Sequence, residues 1–256
     1  MNTSVAIITQ DEPFYMPLFF QEFFPRIDDT VSVERVSVLD VLDESFPSFL
    51  YRMYGLYGPT NFFRRGIAYL YRKGLNATGH GLYSVESVAE RDGTPVESRD
   101  EINTAEYINW VKTEDIDIVL SVSAPQIFDE ELLDAPNWGC INVHTADLPK
   151  YRGMLPTFWA LYHDEDEIGV TVHTMEPEID RGQIVRQDHF PITESTTLDG
   201  AITRGKREGG RTAAEAINDI SAENVSLREM DGEGSYFSFP TTAERREFQR
   251  RGRELL

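Results

Sequence analysis

Four strand-length apolar runs, separated by helix-length segments, constrain this chain more than any other feature. They occupy residues 5–9, 31–39, 116–121 and 139–144. The intervening stretches 15–24, 62–73, 101–112 and 128–133 carry helix-like patterns. Strands that alternate with helices predict an α/β fold with a mostly parallel sheet flanked by helices. In such sheets ligands settle beyond the carboxyl ends of the strands. Chemistry-bearing side chains are therefore expected just after the strand runs.

The rest of the chain extends the pattern. Gly58 and Pro59 read as a turn before the 62–73 helix, and Gly74 reads as its stop. Aromatic residues are dense over residues 46–71, and the simplest expectation is helix packing in the core rather than a membrane-surface helix. Pro156 opens a helix over 156–162. Residues 168–175 and 183–188 alternate in β fashion and are expected to pair around the loop at 177–182. A helical stretch over 197–220, an extended aromatic tail at 234–240 and an arginine-rich helix over 243–255 complete the chain. This organisation suggests a catalytic domain over residues 1–200 and a short helical C-terminal extension over 201–256.

Charge narrows the partners. The formal net charge is −20, from 44 acidic and 24 basic residues, and only four of the basic residues are lysines. So acidic a surface opposes binding to the phosphates of a nucleic acid. Acid excess with little lysine resembles the bias of proteins from salt-loving organisms, and high salt would screen the self-repulsion. Cys140 stands alone, which excludes an intramolecular disulfide and a cysteine-rich metal site. With no leader-like start and no run of membrane-spanning length, a cytoplasmic location and no membrane partner are expected.

Asn142 and His144 lie one residue apart in the 139–144 run, so they share a strand face. Leu148 and Pro149 soon break the strand, leaving both side chains near its end. Asp180 arrives later in a turn-like Asp-Arg-Gly. An amide, an imidazole and a carboxylate are the parts needed to stabilise an oxyanion while moving a proton. Taken singly, each has an ordinary reading: a backbone-capping Asn, a satisfied core His, a turn acid. His144, His173 and Asp180 also have the donor types of a two-His-one-carboxylate metal site, although their spacing is not diagnostic. Tyr151, Arg152 and Gly153 fit either an anion-binding loop or a helix-entry turn.

The run from Gly139 to Gly153 contains Asn-x-His and then Leu148-Pro149-x-Tyr151-Arg152-Gly153, with Asp180 downstream. It resembles the folate-dependent formyltransferase family, in the pattern shared by its sugar N-formyltransferase and methionyl-tRNA formyltransferase branches. The resemblance is strongest over residues 116–187. It implies a Rossmann-like formyltransferase fold and transfer of a formyl group from 10-formyltetrahydrofolate to an amine. It places the catalytic triad on Asn142, His144 and Asp180. It assigns Ser123, Ala124, Gln126, Ile127, Glu176, Glu178 and Ile179 to the folate, and Tyr151, Arg152, Gly153 and Pro156 to the acceptor. No metal is expected.

Two departures stand out. Thr145, Ala146 and Asp147 replace the family's usual residues after the histidine, and Asp147 is expected to add a carboxylate near the site. Residues 122–127 lack the Met-Arg-Ile-type run of many members, so folate contacts there would be largely main-chain.

The acceptor is read by exclusion. The loop after the first strand, Thr9 to Pro13, has no glycine to cradle a phosphate, as a glycinamide-ribonucleotide enzyme would need. Only 76 residues follow Asp180, too few for the barrel domain of an initiator-tRNA enzyme. The run from Gly153 through Pro156 to Trp159 resembles one shared by the sugar and tRNA branches. A small amine, such as an amino sugar, is the expected acceptor. A tRNA-directed enzyme, a formyl-folate hydrolase and a non-catalytic folate-binding module are the alternatives, and a homodimer is compatible with all of them.

Overall fold

A computed structural model describes residues 2–39 and 45–256. In chain order the elements are β1 (Thr3–Gln10), α1 (Met16–Phe23), β2 (Val31–Leu39), α2 (Phe46–Ala77), α3 (Val85–Asp92), β3 (Val96–Arg99), α4 (Ala105–Thr113), β4 (Ile118–Val122) and α5 (Glu130–Leu133). They continue with β5 (Gly139–His144), β6 (Arg152–Gly153), α6 (Pro156–Tyr162), β7 (Glu167–Thr174), β8 (Ile184–Pro191), α7 (Leu198–Ser221), β9 (Tyr236–Phe237) and α8 (Thr242–Arg250).

Seven strands form one sheet in the order β3-β2-β1-β4-β5-β7-β8. The first five are mutually parallel, β7 runs antiparallel to β5, and β8 runs antiparallel to β7. This is the mostly parallel α/β sheet read from the sequence. Chain order reverses between β1 and β4, which makes that crevice a ligand position by topology.

Strand parity builds the two halves of the core. Val5 and Ile7 of β1 face one apolar cluster, while Ala6 and Ile8 face the other. On β5, Ile141 and Val143 join the first cluster, and Cys140 joins the second with Tyr107, Ile108 and Val111 of α4. Asn142 and His144 share the parity of Cys140 and so continue its face to the strand end.

Several boundaries differ from expectation for identifiable reasons. The helix around residues 62–73 is part of a 32-residue element, broken only at Gly58, where φ is +70°. Pro59 then starts the second half, as a first-turn proline can. Gly74 does not stop the helix; the chain turns at Gly79, whose φ is +71° and whose N–H donates to the Asn76 carbonyl. The final helix ends at Arg250 rather than 255. Helix α3 and strand β3 are short; α3 shows one turn of apolar spacing at Val85, Val88 and Ala89, too brief to stand out among its charged residues. The aromatic 46–71 region is only partly core: Leu56 is buried, whereas Tyr51, Phe63, Ile67, Leu70 and Tyr71 are exposed.

Helix α7 packs closely on α1. A Cβ built on Gly210 would lie 2.2 Å from the carbonyl oxygen of Phe19, a backbone atom that cannot step aside. Gly210→Ala is expected to lower the unfolding free energy by about 1–3 kcal/mol. Urea denaturation checks this, and an unchanged midpoint would refute the close packing.

Candidate active site

The site begins with the pairing of β5 and β7. In that antiparallel register Asn142 lies opposite His173, and His144 lies opposite Thr171. Cross-strand partners share a face, so Asn142 and His173 are neighbours at the sheet's edge of chemistry. The Nδ1 atom of His173 sits 2.8 Å from the Thr174 carbonyl and 3.1 Å from that of Arg181. Carbonyls only accept, so Nδ1 carries the proton and Nε2 presents a lone pair. Asn142 donates one amide N–H to that Nε2 at 3.2 Å. This fixes which end of the Asn142 amide is NH₂ and commits one of its two donors.

His144 is oriented in the same way. Its Nε2 donates to the Tyr151 carbonyl at 2.9 Å, leaving Nδ1 to face Asp180 Oδ1 at 3.5 Å. Nδ1 is thus the nitrogen left without a hydrogen-bonded carbonyl, with a carboxylate oxygen beside it. The other oxygen of Asp180 accepts from the Gly153 N–H at 2.7 Å. Both side chains are about nine-tenths buried, whereas Asn142 is half-buried. The predicted triad is therefore brought together at the carboxyl end of β5.

Four of the seven described non-glycine residues with positive φ lie in the loops that border it. Ser123, Tyr151, Leu155 and Asp180 all adopt positive φ values, between +51° and +60°, which non-glycine residues rarely do. Such strain gathers where a site over-determines its backbone. The two glycines of the sequence motifs have a steric reason. A Cβ on Gly153 would lie 2.3 Å from the Phe237 carbonyl, and one on Gly182 would lie 2.1 Å from that of Thr174.

The other candidates divide. Tyr151 and Gly153 support the triad through their main chain, and the Tyr151 hydroxyl donates to Glu165 at 2.7 Å. Arg152 pairs with Glu178 at 3.0 Å, and Arg152 with Arg181 holds the Glu178 carboxyl below its usual range. Pro156 opens α6. Of the residues assigned to the folate, Ser123 accepts a 2.5 Å bond from Lys206 Nζ. Ala124 packs against the core cluster below α4. The Gln126 side chain turns to the Asp100 carbonyl and the Ile102 N–H. Ile127, Glu176, Glu178 and Ile179 are exposed.

Asp147 does not add a carboxylate to the triad. Its Oδ1 meets His189 Nε2 on β8 at 3.1 Å. The metal alternative does not form either: both nitrogens of His173 and Nε2 of His144 are committed to hydrogen bonds. Among the described residues no group of three or more His, Cys, Asp or Glu is arranged to hold an ion. No described helix is long and apolar enough to cross a membrane.

Three features of the site escaped the sequence reading. One is His173 as the partner that orients Asn142. Another is Lys206, whose ammonium is pushed down to about 8 by desolvation against the opposing pull of Glu12. The third is the tail: β9 pairs with β6, and Ser235 takes the Arg152 N–H on its carbonyl and the Tyr151 N–H on its hydroxyl. The tail thereby clamps the loop whose backbone holds His144 and Asp180. Its aromatic extended pattern was legible, but its strand partner was not.

The formyl transferase family model matches residues 80–217, and the chain belongs to that family. It is 32% identical over 133 residues to a methionyl-tRNA formyltransferase of Clostridium tetani, covering 52% of this chain and 43% of the relative. A second, from Geobacillus sp. (strain WCH70), is 31% identical over 155 residues, covering 60% and 49%. The chain thus spans less than half the length of these curated relatives.

Its fold is similar to that of a sugar N-formyltransferase from Shewanella sp FDAARGOS_354, with a TM-score of 0.58 at 19% identity over 92% of this chain and 76% of that one. It is also similar to phosphoribosylglycinamide formyltransferase from Anaplasma phagocytophilum, with a TM-score of 0.62 at 14% identity over 94% and 100%. These likenesses establish the Rossmann-like formyltransferase architecture.

Burial lowers the pKa of His173 from its ordinary 6.5, outweighing the Thr174 carbonyl that raises it. The unfolded chain then binds this proton more readily than the folded one. Stability contributed by neutral His173 is present above about pH 6.5 and is lost as pH falls below it. Unfolding free energy should drop more steeply below about pH 6.5 in the wild type than in His173→Gln. Equal slopes in denaturant titrations would contradict a buried neutral imidazole.

Proposed function

We propose that this chain transfers a formyl group from 10-formyltetrahydrofolate to a primary amine. The observation that carries the reading is the Asn142 amide. It is oriented by the lone pair of His173, retains a second N–H, and stands beside the His144–Asp180 pair at the end of β5. Family membership supports it. The donor supplies an activated formyl carbon. The main chain of residues 123–127 and 176–179 would hold it, and the exposed apolar side chains of Ile127 and Ile179 suit a flat ring system.

The acceptor amine must arrive neutral, because only its lone pair attacks. As the carbon–nitrogen bond forms, Asn142 donates to the oxygen on which negative charge develops. His144 presents Nδ1 beside Asp180 and helps to orient that carboxylate. Asp180 takes the proton that the amine sheds, directly or through water. The oxyanion then collapses to re-form the carbonyl, the carbon–nitrogen bond to the folate breaks, and the departing nitrogen receives the proton that Asp180 took from the amine. An oxyanion donor of this kind commonly contributes about a hundred- to thousand-fold in rate.

The acceptor favoured by the chain's composition is a small amine, such as an amino sugar. A net charge of −20 disfavours a polyanionic acceptor. Solved relatives support the choice: one crystallised with folinic acid and dTDP-3-aminofucose, an N-formyltransferase from Helicobacter canadensis, shares the fold with a TM-score of 0.57.

Asn142→Ala, His144→Ala and Asp180→Ala should each lose at least about tenfold in formyl transfer while remaining folded. The assay follows loss of the formyl group in concentrated salt, with and without amino sugars. Full activity in any variant removes that residue from the mechanism. Formate release without an amine would make the chain a hydrolase.

A further inference from the structure

Helix α2 contains no Asp or Glu among its 32 residues, yet it carries five cations in a chain of net charge −20. Three of those cations turn inward, Arg52 lying over the Phe239 ring at 4.8 Å. Arg65 stacks on Phe14 at 3.9 Å and donates to the Tyr15 hydroxyl at 2.7 Å, and it also pairs with Asp199. Arg72 stacks on the same Phe14 ring at 4.6 Å and donates to the Pro13 carbonyl at 2.9 Å. These contacts fix which face of the helix points away from the molecule.

The outward face is apolar. Of the twelve large apolar side chains exposed among the described residues, seven lie on α2. Phe63, Ile67, Leu70 and Tyr71 are 66%, 71%, 70% and 65% exposed. Their spacing of four, seven and eight residues places them in one stripe. Gly66 and Gly74 fall within that stripe, and a Cβ built on either meets nothing within 4 Å. The surface there is open enough for another helix to approach closely. Exposed Arg64 and Lys73 flank it on either side.

Contiguous exposed apolar surface of this kind marks an interface. At roughly 200 Å² per large side chain, the four exposed fractions of the stripe amount to about 540 Å², the apolar centre of an interface. One partner contributes ~800 Å² to a standard protein interface.

We propose that this face of α2 is where a second copy of the chain docks, helix against helix across a two-fold axis. The charge distribution selects the partner. The remainder of the chain carries a net −25, so two copies repel each other over nearly all of their surface. The acid-free helix is the face on which they approach with least repulsion. A lipid surface or nucleic acid with negative charge would meet the same acidic remainder. Flanking cations sit at the solvent-exposed rim, where salt screens them, so the dimer tightens as salt rises.

Sedimentation equilibrium of the wild type and of Leu70→Glu, in dilute and in concentrated salt, tests this. The wild type should be dimeric at tens of micromolar in concentrated salt and dissociate on dilution into low salt. Leu70→Glu should associate at least tenfold more weakly while keeping the wild-type circular dichroism. A second variant guards against misfolding. Gly66→Cys should form a disulfide-linked dimer on mild oxidation, whereas the wild type, whose only cysteine is buried, should not. A wild type that stays monomeric at every salt concentration, a Leu70→Glu dimer as tight as the wild type, or a Gly66→Cys dimer that does not cross-link would each overturn the proposal. So would a monomer that floats with anionic phospholipid vesicles.

Discussion

The antiparallel pairing of β5 with β7 is the constraint on which the site rests. Parallel strands deliver Asn142 and His144 to the end of β5, but they cannot orient an amide. Reversing direction for β7 puts His173 opposite Asn142. The loop that follows then returns Asp180 to His144. A one-residue slip in this register would turn His173 to the other face of the sheet and leave the amide free to flip.

Two supports make that pairing productive. The first is a chain of committed protons: carbonyls of residues 174 and 181 set the His173 tautomer, and His173 sets the Asn142 amide. The second is the clamp of the tail on the loop at 149–154. The Tyr151 carbonyl and Gly153 N–H reach directly into the triad, and their own positions depend on β9. Catalytic groups held by hydrogen bonds on both sides pay little reorganisation when charge develops.

Much of this was legible in the sequence, and the gaps have physical causes. β5 and β2 were readable to the residue because apolar periodicity and flanking breakers agree there. Asn142 and His144 were readable as a strand-end pair, whereas Asp180 alone looked like a turn acid and stood out only through the family resemblance. His173 was visible only as a possible ligand, since its role depends on a cross-strand neighbour 31 residues away. Asp147 was expected at the site because it is close in sequence, but it turns to His189 across the sheet. The aromatics of α2 looked like core because composition does not say which face of a helix is covered. Gly74 looked like a stop, but a glycine inside a helix costs only about 1 kcal/mol, which tertiary contacts such as those of Arg72 offset.

Titration calorimetry with 10-formyltetrahydrofolate separates binding from chemistry and tests the central claim most directly. The wild type and Asn142→Ala should both bind it saturably at one site per chain, with turnover in the presence of an amine lost only in the variant. Absence of folate binding by the folded wild type in concentrated salt would contradict the account at its root.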